Sequence, residues 1–229
     1  MKKVFFSCVA VATLMVFLSA SSVFAEGEAT KGNTGFYIGI SGGYVVPQTM
    51  QISDKNDSLY ADTELKNGYL AGFKAGWNTP FTKNILAMEM EYNYIFGTDY
   101  DKGKMINLMG QGLVTLDGTI KIHAFLANFK ARYPNGRIHP YGGFGVGWSY
   151  FQLGDTIGRS NGKSVVVPGD SGTAFCWQLL AGVDFDITSN MSLGIGYKYF
   201  ATKPSFGGNI DADFDYKVSA VTVGLAYTF

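Results

Sequence analysis

Beyond its first 25 residues the chain holds one cysteine, Cys176, and no apolar run long enough to cross a bilayer as a helix. A single thiol excludes an intrachain disulfide framework, and the missing run excludes a bundle of spanning helices. Charge is sparse as well, at 16% of residues, and there are two histidines. The sequence carries no basic stripe of the kind a nucleic-acid partner requires.

The N-terminus has a different character. Lys2 and Lys3 precede an apolar stretch from Val4 to Leu18, and small residues follow, ending in Val23-Phe24-Ala25. This order reads as a secretory signal peptide cleaved after Ala25, too short and too polar at its exit for a spanning helix. Cys8 lacks the small residues a lipoprotein site needs before it, so no lipid anchor is expected. Losing Lys2 and Lys3 from the 18 basic residues leaves 16 against 18 acidic, a net charge near −2. The expected organisation is a leader over 1–25 and one domain over 26–229. A chain of this length could bury a globular core without staples, so pattern rather than size must decide its class.

What is abundant is glycine and aromatic residues: 30 Gly, 14 Tyr and 18 Phe. They fall in eight segments where large apolar residues alternate with small or polar ones, roughly 35–45, 67–78, 84–96, 120–133, 138–152, 174–187, 190–201 and 215–229. Each reaches the roughly 9–11 residues of a tilted spanning strand. Long polar stretches follow the odd segments, at 46–66, 97–119, 153–173 and 202–214. Tight turns follow the even ones, at Asn78-Thr79-Pro80, Pro134-Asn135-Gly136 and Thr188-Ser189-Asn190. Strict long–short alternation predicts an all-β fold, an eight-stranded antiparallel up-and-down transmembrane β-barrel with periplasmic termini and four long outer loops. A soluble sandwich has no reason to gather every long loop at one end.

Alternation also assigns faces. Val221, Val223, Leu225, Tyr227 and Phe229 share one face of the last segment, opposite Thr222, Gly224, Ala226 and Thr228. Water-soluble sheets permit the same pattern. Two features favour bulky side chains pointing into lipid. An eight-stranded lumen is only wide enough for side chains, and aromatics such as Phe36, Tyr44, Trp77, Tyr94, Trp148 and Tyr199 collect at segment ends, where interfacial girdles lie. The fourth segment does not keep one phase on this rule, which predicts a bulge or a shifted start near Ala124.

With these phases Lys74, Glu89, Glu91, Lys130, Arg132, Asp184, Asp186 and Lys198 point inward, four positive and four negative. Buried charges persist when paired, so the balance suggests a salt-bridge network. It reads either as a structural plug, the favoured account, or as a gate whose pairs exchange. Arg132 and Asp186 belong near the periplasmic end and Lys198 toward the outer end. Catalysis has little support: His123 and His139 lie at opposite ends and read as interfacial or loop residues, Cys176 reads as an inert packed thiol, and no cofactor is implied. Asp211, Asp213 and Asp215 have the alternate spacing of carboxylates that share a cation but read as a solvated loop, so no metal is expected. In the second loop, Met105-Ile106-Asn107-Leu108-Met109 and Leu113-Val114-Thr115-Leu116 are apolar. Asp117-Gly118 reads as a hairpin turn, so strands extend beyond the bilayer. That hairpin either folds over its neighbours or offers an apolar patch to a partner.

The ending Thr222-Val223-Gly224-Leu225-Ala226-Tyr227-Thr228-Phe229 resembles the terminal signal of outer-membrane proteins, with Thr222, Gly224, Tyr227 and Phe229 filling its places. The resemblance implies recognition by the barrel-assembly machinery. Gly35-Phe36-Tyr37-Ile38-Gly39-Ile40-Ser41-Gly42-Gly43-Tyr44, Met88-Glu89-Met90-Glu91-Tyr92 and His139-Pro140-Tyr141-Gly142-Gly143-Phe144-Gly145-Val146-Gly147 resemble strands of small OmpA-like, OmpX-like and opacity-type barrels. From this follows the expectation of a monomeric, non-enzymatic barrel in the bacterial outer membrane, contacting lipid and lipopolysaccharide and binding an extracellular ligand through its loops or supporting envelope integrity. The alternative is a narrow porin-like or OmpW-like conduit, and the charged lumen argues against a hydrophobic one.

Overall fold

The computed structural model describes residues 35–48, 50–53, 60–100, 105–108, 112–160, 163–207 and 211–229; the leader expected over 1–25 lies outside them. Eight strands form the body: β1 (Gly35–Pro47), β2 (Gly68–Asn78), β3 (Leu86–Phe96), β4 (Ile120–Arg132), β5 (Ile138–Leu153), β6 (Asp170–Asp186), β7 (Met191–Thr202) and β8 (Asp211–Thr228). Each pairs antiparallel with the next, and β8 returns to β1 with Tyr37 opposite Thr228 and Pro47 opposite Val218. The sheet therefore closes into an eight-stranded barrel with no open edge in its wall.

One end of the barrel carries short connections. After β2, Pro80–Thr82 forms a single 3-10 turn, and Lys83 and Asn84 take positive φ to bring the chain back. Gly136 supplies φ 77° in the turn after β4, and 187–190 closes β6 to β7. The start of β1 and the end of β8 meet at this end, where the Phe229 amide donates to the Phe36 carbonyl at 3.0 Å. The other end carries the long connections, which are built as strands. Met50–Ser53 pairs with Tyr60–Thr63 and with β8, and Ser205–Gly207 also adds to β8. Met105–Leu108, Gly112–Asp117, Thr156–Ser160 and Lys163–Val167 make a separate four-stranded sheet from the second and third loops. β6 and β8 begin several residues before the predicted starts, because this β-structure continues them outward.

Side-chain direction follows the predicted alternation. On β3 the even positions from Leu86 face out, and Ala87, Glu89, Glu91, Asn93 and Ile95 are buried. Phe36 and Trp148 are each 67% exposed, Met90 64% and Ile40 62%. Leaving such side chains in water forgoes about 1.5–3 kcal/mol each, so a continuous belt of them identifies the surrounding medium as hydrocarbon.

Two expectations are corrected. β4 has neither a bulge nor a shifted start at Ala124: its register runs unbroken from Ile122 to Ala131 against β3 and from Ile120 to Arg132 against β5. The apparent phase break arises because Ile120, Ile122 and Leu126 are large apolar residues that point inward, where small or polar ones were expected. Asp117-Gly118 is not a hairpin turn. Gly112–Asp117 pairs with Met105–Leu108 and with Thr156–Ser160, so Asp117-Gly118 is the junction into β4, and the Gly118 carbonyl accepts the Tyr100 amide.

Candidate functional site

The lumen is divided into two chemically distinct halves. Toward the turn end, period-two alternation brings charged residues from five strands inward. Lys130 Nζ lies 2.7 Å from Glu89 Oε2 and Lys74 Nζ 3.9 Å from the same oxygen. The Tyr37 hydroxyl donates to Glu89 at 2.8 Å. Lys130 also sits over the Tyr37 and Tyr141 rings, 5.3 and 5.2 Å from their centroids. One layer up, Lys198 pairs with Glu91. Asn128 joins the layers, its amide donating to Glu89 at 3.0 Å and to Glu91 at 2.9 Å, and Gln178 donates to Glu91 and to the Asn128 carbonyl, both at 2.7 Å. Glu89 and Glu91, both buried, are thus each met by a cation and by neutral donors, which is the arrangement that makes a buried charge tolerable.

Of the eight inward charges expected, Lys74, Glu89 and Lys130 form one cluster and Glu91 and Lys198 another. Asp184 lines the cavity shared with Lys130 and Tyr141. Arg132 and Asp186 lie at the turn end and both line the cavity there. Asp186 accepts from His139 Nε2 at 2.9 Å, and His139 Nδ1 lies 2.8 Å from the Tyr133 carbonyl. Fully buried, His139 is therefore a lumen residue rather than the loop or interfacial one expected. Inward parity alone could have flagged Asn128, Gln178, Tyr37 and His139, but their neutrality hid them from a search for charge.

Toward the loop end the lumen is apolar. Val45, Leu70, Ile95, Ile120, Ile122, Leu126, Phe151, Cys176 and Phe200 pack into one buried cluster, and Met50 and Tyr100 from the long connections and Phe214 and Tyr216 from the outer part of β8 continue it outward. Phe151 and Tyr216 meet edge to face at 5.5 Å, and the Tyr216 hydroxyl donates to Thr98 at 3.1 Å. The expectation of an interior filled by small and ionised groups therefore holds for the turn-end half and fails for the loop-end half. Two cavities near the charge network measure about 20 and 30 Å³, room for one or two water molecules each.

The β5 glycines allow this filling. A Cβ at Gly147 would overlap the Phe125 carbonyl oxygen, and one at Gly145 would overlap the Asn128 amide oxygen. Of the terminal residues, Thr222 and Gly224 face the lumen, while Tyr227 and Phe229 face out with ring centroids 5.3 Å apart. The outer face carries His123, set between Tyr92, Tyr94 and Tyr150. Asp215 pairs with Lys217 at 2.5 Å; the Asp211 and Asp213 side chains lie outside the described residues. Among the described residues no group of three acidic, histidine or cysteine side chains is placed to hold a metal ion.

Residues 10–229 match the family model described as outer membrane protein beta-barrel domain. Among solved structures, neisserial surface protein A is similar at 15% identity and TM-score 0.53, over 86% of this chain and 98% of that one. The outer membrane protease OmpT of Escherichia coli is similar at 10% identity and TM-score 0.51, over 90% of this chain and 99% of that one. At these identities the likeness is one of fold. Comparison with curated protein sequences gives no match.

Proposed function

The chain belongs to the outer membrane protein β-barrel domain family, and on that premise we propose that it is a closed, non-enzymatic surface barrel of the bacterial outer membrane whose β-structured outer loops are its interaction surface. Export by a signal peptide cleaved after Ala25, insertion by the barrel-assembly machinery through the Thr222–Phe229 ending and a monomeric state complete the reading. One observation carries it. The lumen is sealed twice, by a hydrogen-bonded charge network in one half and by a packed apolar cluster in the other. A solute path would need both to open together, which favours the closed reading over the conduit. Among the described residues neither histidine has a serine or cysteine among its hydrogen-bond partners, which supports the non-enzymatic reading over a Ser–His or Cys–His site.

Among the described residues the sheet of Met105–Leu108, Gly112–Asp117, Thr156–Ser160 and Lys163–Val167 is the largest β-structure outside the wall, and connecting segments held on a rigid scaffold are where binding surfaces concentrate. Two measurements test the proposal. In planar bilayers the purified barrel is expected to give no stable open level; reproducible conductance steps overturn the closed reading. In a binding screen against host-cell and matrix extracts, the intact barrel is compared with one in which 97–119 is replaced by a short turn, folding of both being checked by heat-modifiable migration. Equal retention of the same partners by both overturns the assignment of that sheet.

A further inference from the structure

The outer face of β3 to β6 near the loop end is organised in three rows. Tyr92, Phe125, Trp148 and Phe175 stand side by side across the strands. One step outward come Tyr94, His123, Tyr150 and Thr173, and beyond them Lys121, Gln152 and Ser171. Phe125, Trp148 and Phe175 are 58%, 67% and 52% exposed, so the first row lies in hydrocarbon; the second mixes rings with polar tips, and the third is polar. The bilayer boundary passes through this patch.

The polar rows are donors. Lys121 is exposed and makes no ion pair among the described residues, whereas Lys217, on the outer face of β8 toward the loop end, is held by Asp215. Lys121, Tyr150, Gln152 and Ser171 line one cleft. Its carboxylate, Asp170, accepts the Ser171 amide at 2.7 Å. The Tyr92 hydroxyl lies 2.7 Å from His123 Nδ1; donating there, it leaves Nε2–H as the ring's free donor. The Tyr94 ring, stacked on the imidazole at 4.8 Å, fixes its position.

We propose that this patch is a binding site for a phosphorylated lipid of the outer leaflet, with the headgroup phosphate at Lys121 and His123 and an acyl chain along Phe125, Trp148 and Phe175. A phosphate offers several acceptor oxygens and a charge that one cation and neighbouring neutral donors meet together, and the apolar row directly beneath makes the source a lipid rather than a free ion. The site is independent of what the loops bind.

The test is native mass spectrometry of the purified barrel in maltoside micelles, with dimyristoyl phosphatidate, dimyristoylglycerol or inorganic phosphate as probe. The expected result is about tenfold greater retention of the phosphatidate than of the neutral lipid, the scale of charge-assisted hydrogen bonds, undisturbed by an equal concentration of inorganic phosphate. Lys121→Gln with His123→Gln should abolish the preference, Lys121→Arg should keep it, and Lys217→Gln should leave it unchanged. Equal retention of the two lipids, a preference that survives in the double variant, or displacement by inorganic phosphate each overturns the proposal.

Discussion

Substituting Glu89 by Gln keeps the shape of the side chain and removes its charge. In the native barrel Glu89 accepts from Tyr37, Asn128 and Lys130 at 2.8, 3.0 and 2.7 Å, and its side chain is 4% exposed against 6% for Lys130. A glutamine amide can still serve one or two of the neutral donors. It cannot serve as the counter-charge of Lys130, which then faces Lys74 across a neutral group. Breaking one side of a buried pair costs about 3–5 kcal/mol, roughly a thousandfold in the folding equilibrium at its middle value. Replacing both partners, as in Glu89→Gln with Lys130→Met, removes the uncompensated ammonium, and the double variant should recover most of that loss. The assay is guanidinium unfolding in phospholipid vesicles followed by tryptophan fluorescence, where about 4 kcal/mol moves the midpoint by roughly 1 M at the slopes usual for small domains. If the single variant loses less than about 1 kcal/mol, or the double variant is the weaker of the two, the network is not what holds that half of the lumen.

Gly147→Ala forces β4 and β5 apart at the Phe125 carbonyl and should cost about 1–3 kcal/mol, read as a lowered midpoint in the same vesicle assay; a neutral outcome would show that the wall yields there. Phe229→Ala removes an outward ring while its backbone pairing to Phe36 remains. It should slow barrel appearance in cells by several-fold and leave unassisted refolding into vesicles within about 0.5 kcal/mol of the parent; an equal deficit in both assays would refute an assembly role. Leu126→Asn places an unpartnered amide in the loop-end cluster and should destabilise by about 2–4 kcal/mol, checked by the same unfolding midpoint; no loss would mean that water already reaches that layer.

The wall was legible because lipid and lumen impose opposite chemistries on successive residues. Leu86 to Phe96 states its two faces in eleven letters, and the spacing of the loops states the topology. The lumen was only half legible. Where the interior is polar, Glu89 and Lys130 contrast with their neighbours and betray their direction. Where it is apolar, Ile120 and Ile122 look like lipid-facing residues, and single-strand alternation has no contrast with which to separate one dry environment from another. His139 was hidden for a related reason: its partner Asp186 lies 47 residues away, and that proximity is created by the register of β5 against β6.

The apolar cluster is more than a stopper. Because Met50, Tyr100, Phe214 and Tyr216 are loop-end residues rooted in it, the bases of the long connections are packed onto the barrel itself. A partner arriving from outside would meet a preorganised platform, and little of its binding energy would be spent on immobilising those roots.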